Sequence, residues 1–456
     1  MSNTIKLIIS DLHLADGHPI MEGFGTRQQA ALEGLLQATV DGTIARPSDD
    51  VELIINGDCF DFLGTPPYNT HGTSNPTIAL TKLDKIIEAH QPFFRVLQTF
   101  VATRGRSITF LVGNHDIELC FAEVRSRLYE AFAHQATHPH IYFCPTRSYR
   151  PLADVHIEHG NHYDFWNQAL PGLWDEKGQP LTTTPASITL PVGSLYVQEV
   201  SHILNMEYPY FDHFEPSINI IRQIALLSLL NPTILLNLSK KTDLFLTNAE
   251  QLPPHVQQID PSDFTPAELF SQTMLQFSQL QQALALRKTD GTTPKKLDIQ
   301  VEDIQEFTLL REALTLTLNE AVTTICLPAV YQMEKSVDTG LKHVLHNDSS
   351  LRYAIAGHTH MLRYLTEPKT GQVYLNSGTW TDRLALPTPE EIITELIDWL
   401  RKPDWSQIPL RDVTRLSFVL LTGNDGEASD ARICSWEGGR QGCLKGVTLE
   451  EGNREL

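Results

Sequence analysis

The chain has 456 residues, 41% of them hydrophobic, and 55 acidic against 35 basic side chains give a formal net charge of -20. This length predicts about two to three domains, or one domain enlarged by an insertion, and the apolar fraction excludes wholesale disorder. The acidic surplus repels nucleic acid and anionic membrane surfaces at long range, which disfavours a binding mode built on many phosphate contacts while leaving room for a local cationic pocket.

The N-terminus, "MSNTIKLIISD", lacks a basic region followed by a long apolar one, so no signal peptide is expected. Four short, β-branched apolar runs follow in order: "IKLIIS" (5–10), "VELIIN" (51–56), "ITFLVG" (108–113) and "DVHIEH" (154–159). Their length and composition predict buried strands. Helical patterns lie between them at about 26–40, 79–101 and 118–133; the first sets Leu32, Leu35, Leu36 and Val40 on one face. Alternating strand and helix predicts an α/β layered fold.

The texture changes at 166. Residues 171–193 are loop-like, and the helical patterns after them have no obvious strand. The clearest is 265–287, where Thr265 and Glu268 form a capping box, Pro266 takes the first helical position, and Leu269, Phe270, Phe277, Leu280 and Leu284 recur at helical spacing. A further helix is expected over 301–335. The stretch 166–345 therefore predicts a largely helical insertion, too long for a plain loop. Within it, 218–238 is the most apolar segment, but Arg222, Gln223 and Asn231–Pro232 interrupt it. It falls short of the roughly 18 clean apolar residues of a membrane span. The insertion's own core is the expected role, with peripheral lipid contact as the alternative.

Strand texture resumes at "RYAIAG" (352–357) and continues through "QVYLNSG" (372–378) and "RLSFVLL" (415–421). The expected organisation is a core in two parts, 1–165 and 346–422, the insertion or cap at 166–345, and a polar, glycine-rich tail at 423–456. Cys59, Cys120, Cys144, Cys326, Cys434 and Cys443 form no C-x-x-C pair, which predicts a reduced, cytoplasmic protein without a cysteine zinc site.

The chemistry lies where the strands stop. The first ends in Asp11 and His13, and the second in Gly57, Asp58 and Asp61. The third ends in Asn114, His115 and Asp116, the fourth in His159 and Gly160, and the run at 352–357 in His358 and His360. Layered α/β folds gather the loops at the C-terminal edges of their strands, and sites form there. Any one of these junctions is an ordinary turn. Their recurrence, each with side chains that bind hard or borderline divalent ions, points to a metal site.

"SDLHL", "NGDCFDF", "GNHD", "HG" at 159–160 and "GHTH" occur in the order of the calcineurin-like metallophosphoesterase motifs, which this chain resembles over about 1–165 and 350–380. The resemblance implies two stacked, mixed β-sheets flanked by helices, a four-layer sandwich, with two divalent ions at the strand ends. By motif match, Asp11, His13 and His360 would hold the first ion. Asn114, His159 and His358 would hold the second, and Asp58 would bridge them. Carboxylate and imidazole ligands suit Mn, the expected metal, or Fe, Zn or Ni. Such a pair clamps phosphoryl oxygens and makes a hydroxide available for attack near neutral pH. His115 would not be a ligand; it would protonate the leaving oxygen as general acid, oriented by Asp61. Asp116 would fix the loop.

The expected substrate is a phosphomonoester, phosphodiester or pyrophosphate. Phosphoprotein phosphatases of this superfamily carry G-D-x-x-D-R-G, and Phe62 stands where that arginine would be. The chain also resembles the branch containing UDP-2,3-diacylglucosamine pyrophosphatases, which makes a lipid nucleotide an alternative. That branch usually has arginine at the position of His115, and a shorter insertion. A metal-bound scaffold using the insertion to bind a partner is the non-enzymatic alternative. Of the remaining polar residues, His162 and Asp164 lie close enough to His159 to line the site, and Arg363 and Arg383 could reach a phosphate or form salt bridges. His202 and His213 are expected to be structural, and His18, His71, His134, His138, His140, His343 and His346 to lie on the surface.

Overall fold

Every apolar run named above is a strand in the computed structural model. It describes residues 4–68, 72–132, 140–144, 146–164, 167–168, 173–174, 178–179, 186–207, 213, 327–385, 411–424, 426–436 and 444–446. The helix expected at 265–287 and the apolar segment 218–238 lie outside these residues, as do His71, His134 and His138.

The first part of the chain runs β1 (Thr4–Ile9), α1 (Thr26–Ala38), β2 (Asp50–Asn56), α2 (Pro76–Ala89), α3 (Gln91–Ala102), β3 (Arg106–Leu111), α4 (Ala122–Phe132), β4 (Ile141–Phe143), β5 (Ser148–Tyr149) and β6 (Val155–Glu158). The second runs α5 (Leu327–Asn347), β7 (Tyr353–Ala356), β8 (Leu362–Thr366), β9 (Val373–Ser377), β10 (Ser417–Asn424), β11 (Glu427–Trp436) and β12 (Leu444–Gly446).

They build a seven-stranded sheet, β12-β11-β10-β1-β2-β3-β4, and a five-stranded one, β8-β9-β7-β6-β5. Both are mixed. In the first, β1 to β4 are parallel, with Leu7 opposite Leu53 and Ile54 opposite Thr109. In the second, β6, β7 and β9 are parallel. Parallel strands end on one edge, so the motif-bearing junctions of each sheet emerge together.

The period of two along the strands explains the layering. Ile8, Ile54, Leu111, Val419 and Leu421 of the first sheet share a core cluster with Val155, Ile157, Tyr353, Ile355, Val373 and Leu375 of the second. The alternate residues Ala354, Ala356 and Tyr374 face outward and pack on Val337, Leu341 and Leu345 of α5. These inter-sheet contacts form the expected sandwich, with α5 covering the outer face of the second sheet.

Two local features differ from the periodicity. The pattern at 79–101 is two helices, α2 and α3, joined at His90. Pro92 lies in the first turn of α3; it has no N–H to donate and crowds the preceding turn, so the helix restarts there. The glycine-rich stretch after 423 supplies β11, whose Ala431 and Ile433 enter the inter-sheet core.

The chain divides into two compact units. Met1–Gln198, Met333–Asp382 and Thr414–Leu456 hold both sheets. Glu199–Gln332 and Arg383–Val413 make the second, whose described residues include a short antiparallel pair, Leu384–Ala385 with Arg411–Asp412. Among the described residues, no helix is long and apolar enough to cross a membrane.

Candidate metal centre

Five described residues other than glycine have positive φ: Asp11 (56°), His13 (51°), Asp58 (50°), His358 (68°) and His360 (59°). All five are expected ligands. A side chain in this region strains the backbone by about 1–3 kcal/mol, and such strain persists only where the surroundings over-determine it. Hydrogen bonds at the seam between the sheets do so. The Asp11 carbonyl accepts from the Trp380 N–H at 3.0 Å and from Thr379 Oγ1 at 2.8 Å. Its carboxylate accepts from the His358 N–H at 3.1–3.2 Å, and the Asp58 carbonyl takes the N–H groups of Leu12 (2.9 Å) and His13 (3.0 Å). Asn56 Nδ2 donates across the seam to the Glu158 carbonyl at 2.9 Å.

Glycine permits the closest approach. A Cβ on Gly113 would fall 2.1 Å from Asp58 Oδ1, so only glycine lets the β3 loop lie against the Asp58 carboxylate. Asp116 then locks the two loops together, accepting from the Gly113 N–H at 2.7 Å and the Cys59 N–H at 2.8 Å. Burial, and secondarily Asp58, push Asp116 up to about 7.

The expected ligands converge. His13 Nε2 and His360 Nε2 are 3.1 Å apart, and Asp11 Oδ1 is 3.2 Å from the latter. Asp58 Oδ2 is 3.1 Å from His159 Nε2 and 3.9 Å from His13 Nε2. Asp11, His13 and His360 form one set able to hold an ion, and Asp58, His159 and His358 another. The donors fit cations rather than one another. His159 donates from Nδ1 to the Asn56 carbonyl at 2.8 Å, which leaves the Nε2 lone pair facing Asp58. That Nε2 is buried and, although close to Asp58, is not aligned for a hydrogen bond; Asn114 Oδ1 is likewise buried without a partner. A ring nitrogen beside a buried carboxylate and a buried amide oxygen without a hydrogen-bond partner are donors that a divalent ion satisfies.

Without an ion, burial would raise Asp58, but the imidazolium charges of His159 and His115 hold it well below the usual carboxylate range; an ion would take the place of the proton on His159 Nε2. Burial instead dominates at Asp11, raising it, and at His13, lowering it.

His115 is set apart from the other imidazoles. Its Nδ1 lies 2.9 Å from Asp61 Oδ1 and donates to it, while its backbone N–H donates to Asp58 Oδ1 at 2.8 Å. Burial would lower His115, but Asp61 and then Asp58 outweigh it and raise the imidazole to about 9. Asp61 is held low by the same pair and is further fixed by the Gly64 N–H at 2.7 Å. His115 also lies near enough to His13 and Asp58 to complete a third possible ligand set.

The remaining polar residues divide. Asp164 joins the centre, 3.2 Å from His358 Nε2, whereas His162 faces Glu158 at 3.5 Å. Arg363 pairs with Asp338 at 3.3 Å, and Arg383 is buried in the second unit. His202 and His213 are buried, while His18, His140, His343 and His346 are exposed. Sequence reading overlooked Glu22, which accepts from the Ala15 and Gly17 N–H groups at 3.2 Å and lies 2.9 Å from His90 Nε2, anchoring the loop after His13. It also overlooked Asn167, which contacts Asn114.

The family model for calcineurin-like phosphoesterases matches residues 7–205. No curated protein matches the chain. Solved structures similar to it include a dimetal phosphatase from Danio rerio, 12% identical, covering 97% of this chain and 98% of that one with a TM-score of 0.30. Another is phosphopantetheinyl hydrolase from Mycobacterium tuberculosis, 14% identical, covering 90% and 96% with a TM-score of 0.24. Over residues 7–205, less than half of its length, the chain matches the calcineurin-like phosphoesterases, which supports a metal-dependent hydrolase of phosphate esters.

Proposed function

We propose that the enzyme hydrolyses a phosphomonoester, phosphodiester or pyrophosphate at two divalent ions, with His115 as general acid. Asp11, His13 and His360 would hold one ion and Asn114, His159 and His358 the other, with Asp58 between them. Mn is the expected metal, with Fe, Zn or Ni as alternatives. Bound there, such a pair neutralises phosphoryl oxygens and lowers the pKa of water near neutral pH.

The observation that carries the role of His115 is its bond to Asp61. Nδ1 donates to a buried carboxylate, so the ring is held in one orientation and Nε2 is left for the substrate. The same carboxylate favours the protonated imidazole, the form a general acid needs. Its side chain is 17% exposed and that of His360 27%, against 1% for His159 and 4% for His358, which supports substrate entry on the His115 and His360 side. Asn114 is a neutral ligand and limits the negative charge that an anionic substrate meets.

The competing role for His115 is a ligand, with His13 and Asp58. Hydrolysis of p-nitrophenyl phosphate and bis-(p-nitrophenyl) phosphate by Mn²⁺-loaded protein, alongside metal content, separates the two. His115→Ala should keep both ions and lose turnover by roughly 10²- to 10⁴-fold. Loss of an ion in that variant would make His115 a ligand instead. The preferred ester distinguishes monoesterase from diesterase. A lipid nucleotide of the UDP-2,3-diacylglucosamine type remains the substrate to assay if neither ester turns over with both ions bound.

A further inference from the structure

The loop after β6 carries a polar chain running from a carboxylate to two of the proposed ligands. Asp164 Oδ2 is 3.2 Å from His358 Nε2 and accepts from Asn167 Nδ2 at 2.6 Å. Asn167 Oδ1 in turn accepts from Asn114 Nδ2 at 3.4 Å. The loop is folded onto itself to present these groups: Asn161 Nδ2 donates to the Asn167 carbonyl at 2.8 Å, and the N–H groups of Asp164 and Asn167 donate to the carbonyls of Asn161 and Asp164, each at 3.1 Å. Asp164, Asn114 and His358 are all buried, at 3%, 3% and 7% exposure.

The direction of every bond in this chain follows from its first member. An ionised carboxylate can only accept, so the ring nitrogen of His358 that faces it carries the proton, leaving the Nδ1 lone pair for an ion. For the same reason Asn167 must turn its NH₂ toward Asp164 and its carbonyl oxygen toward Asn114. Asn114 must then offer its own NH₂ to Asn167 and point Oδ1 the other way. That Oδ1 is the buried oxygen without a hydrogen-bond partner. One carboxylate thus sets the tautomer of one ligand and, through one amide, the orientation of another.

We infer that Asp164 and Asn167 are positioning residues for the second metal ion, acting through His358 and Asn114 and touching neither substrate nor metal. The inference rests on the reading of His358 and Asn114 as ligands.

The test is the Mn²⁺ content of the full-length protein after equilibrium dialysis at fixed free Mn²⁺, with the dissociation constant of each ion from calorimetry. Wild type should hold two ions and His358→Ala one. Asp164→Ala should weaken one ion by about 10- to 100-fold and leave the other unchanged, the usual consequence of removing a group that orients a ligand. Asn167→Ala should weaken that same ion. Asp164→Asn, nearly isosteric and able to keep an oxygen at the Oδ2 position, should fall between wild type and Asp164→Ala. Two ions at wild-type affinity in both alanine variants, with one lost in His358→Ala, would overturn the inference while sparing the ligand reading. Equal weakening of both ions in Asp164→Asn and Asn167→Ala would also overturn it. Two ions at full affinity in His358→Ala would remove the ligand reading, and the inference with it.

Discussion

At the scale of single residues, the centre is organised by how each imidazole is constrained. His159 spends its Nδ1 proton on the Asn56 carbonyl, and His115 spends its own on Asp61. Burial would lower both rings, but each is raised by a carboxylate, His159 by Asp58 at its Nε2 and His115 chiefly by Asp61, whose charge lies at its Nδ1. The charge also predicts pH dependence. His115 is raised above the ordinary histidine value to about 9 in the metal-free site. Cations beside it pull that value down, so the acid is lost as pH rises through a pKa at or below about 9, and activity falls on the alkaline side. Asp61→Asn keeps an acceptor for Nδ1 but removes the charge, so the alkaline limb of kcat/KM should move to lower pH. An unmoved limb would separate the titrating group from His115.

Of the residues in this centre, most were legible because each stood at the end of an apolar run. The rule that parallel strands release their loops on one edge brings Asp11, His13, Asp58, Asn114, His159, His358 and His360 together, and the resemblance to the calcineurin-like metallophosphoesterase motifs singles them out as candidate ligands. Asn167 gave no such signal. It follows no strand, and a D-x-x-N spacing in a loop has many uses, so only its place between Asp164 and Asn114 reveals it. The left-handed backbone at five of the candidate ligands was also hidden, since aspartate and histidine do not advertise positive φ as glycine does.

At the scale of elements, strands were easier to place than helix ends and tails. An inward-facing period of two marks a strand wherever two sheets share a core, as at Tyr353 and Ile355. The join between α2 and α3 was written in Pro92, but the apolar periodicity continues across it and masks the break. β11 was missed because the register shift opposite Thr422 and Gly423 breaks its alternation between Ala428 and Ala431, and pairing with β10 supplies what its own sequence does not. The helix α5 has the opposite character: Val337, Leu341 and Leu345 bind it to the outer face of β7 and β9. Leu341, fully buried, is the central contact. Leu341→Ala should destabilise the fold by about 2–5 kcal/mol, read as a lower denaturation midpoint. Metal content below the transition should be unchanged, because the contact lies on the side of the second sheet away from the first. A change below about 0.5 kcal/mol would mean that α5 contributes little to the core.

At the scale of the whole molecule, the two sheets meet at a seam, and the seam is the site. Hydrogen bonds from Asn56, Thr379 and Trp380 cross it, and the candidate ligands come from both sides: Asp11, His13, Asp58 and Asn114 from the first sheet, His159, His358 and His360 from the second. The two sets proposed to hold ions, Asp11 with His13 and His360, and Asp58 with His159 and His358, each draw on both sheets. Asp58 is the residue on which the account turns, since its carboxylate lies against His159 and His13 together and carries the His115 N–H on its other oxygen. The direct test is the number of Mn²⁺ ions bound by wild type and Asp58→Asn under identical dialysis. The account predicts two ions in the wild type and loss of both in the variant. A variant that still holds two ions, or a wild type that never holds more than one, would contradict a binuclear centre bridged by Asp58.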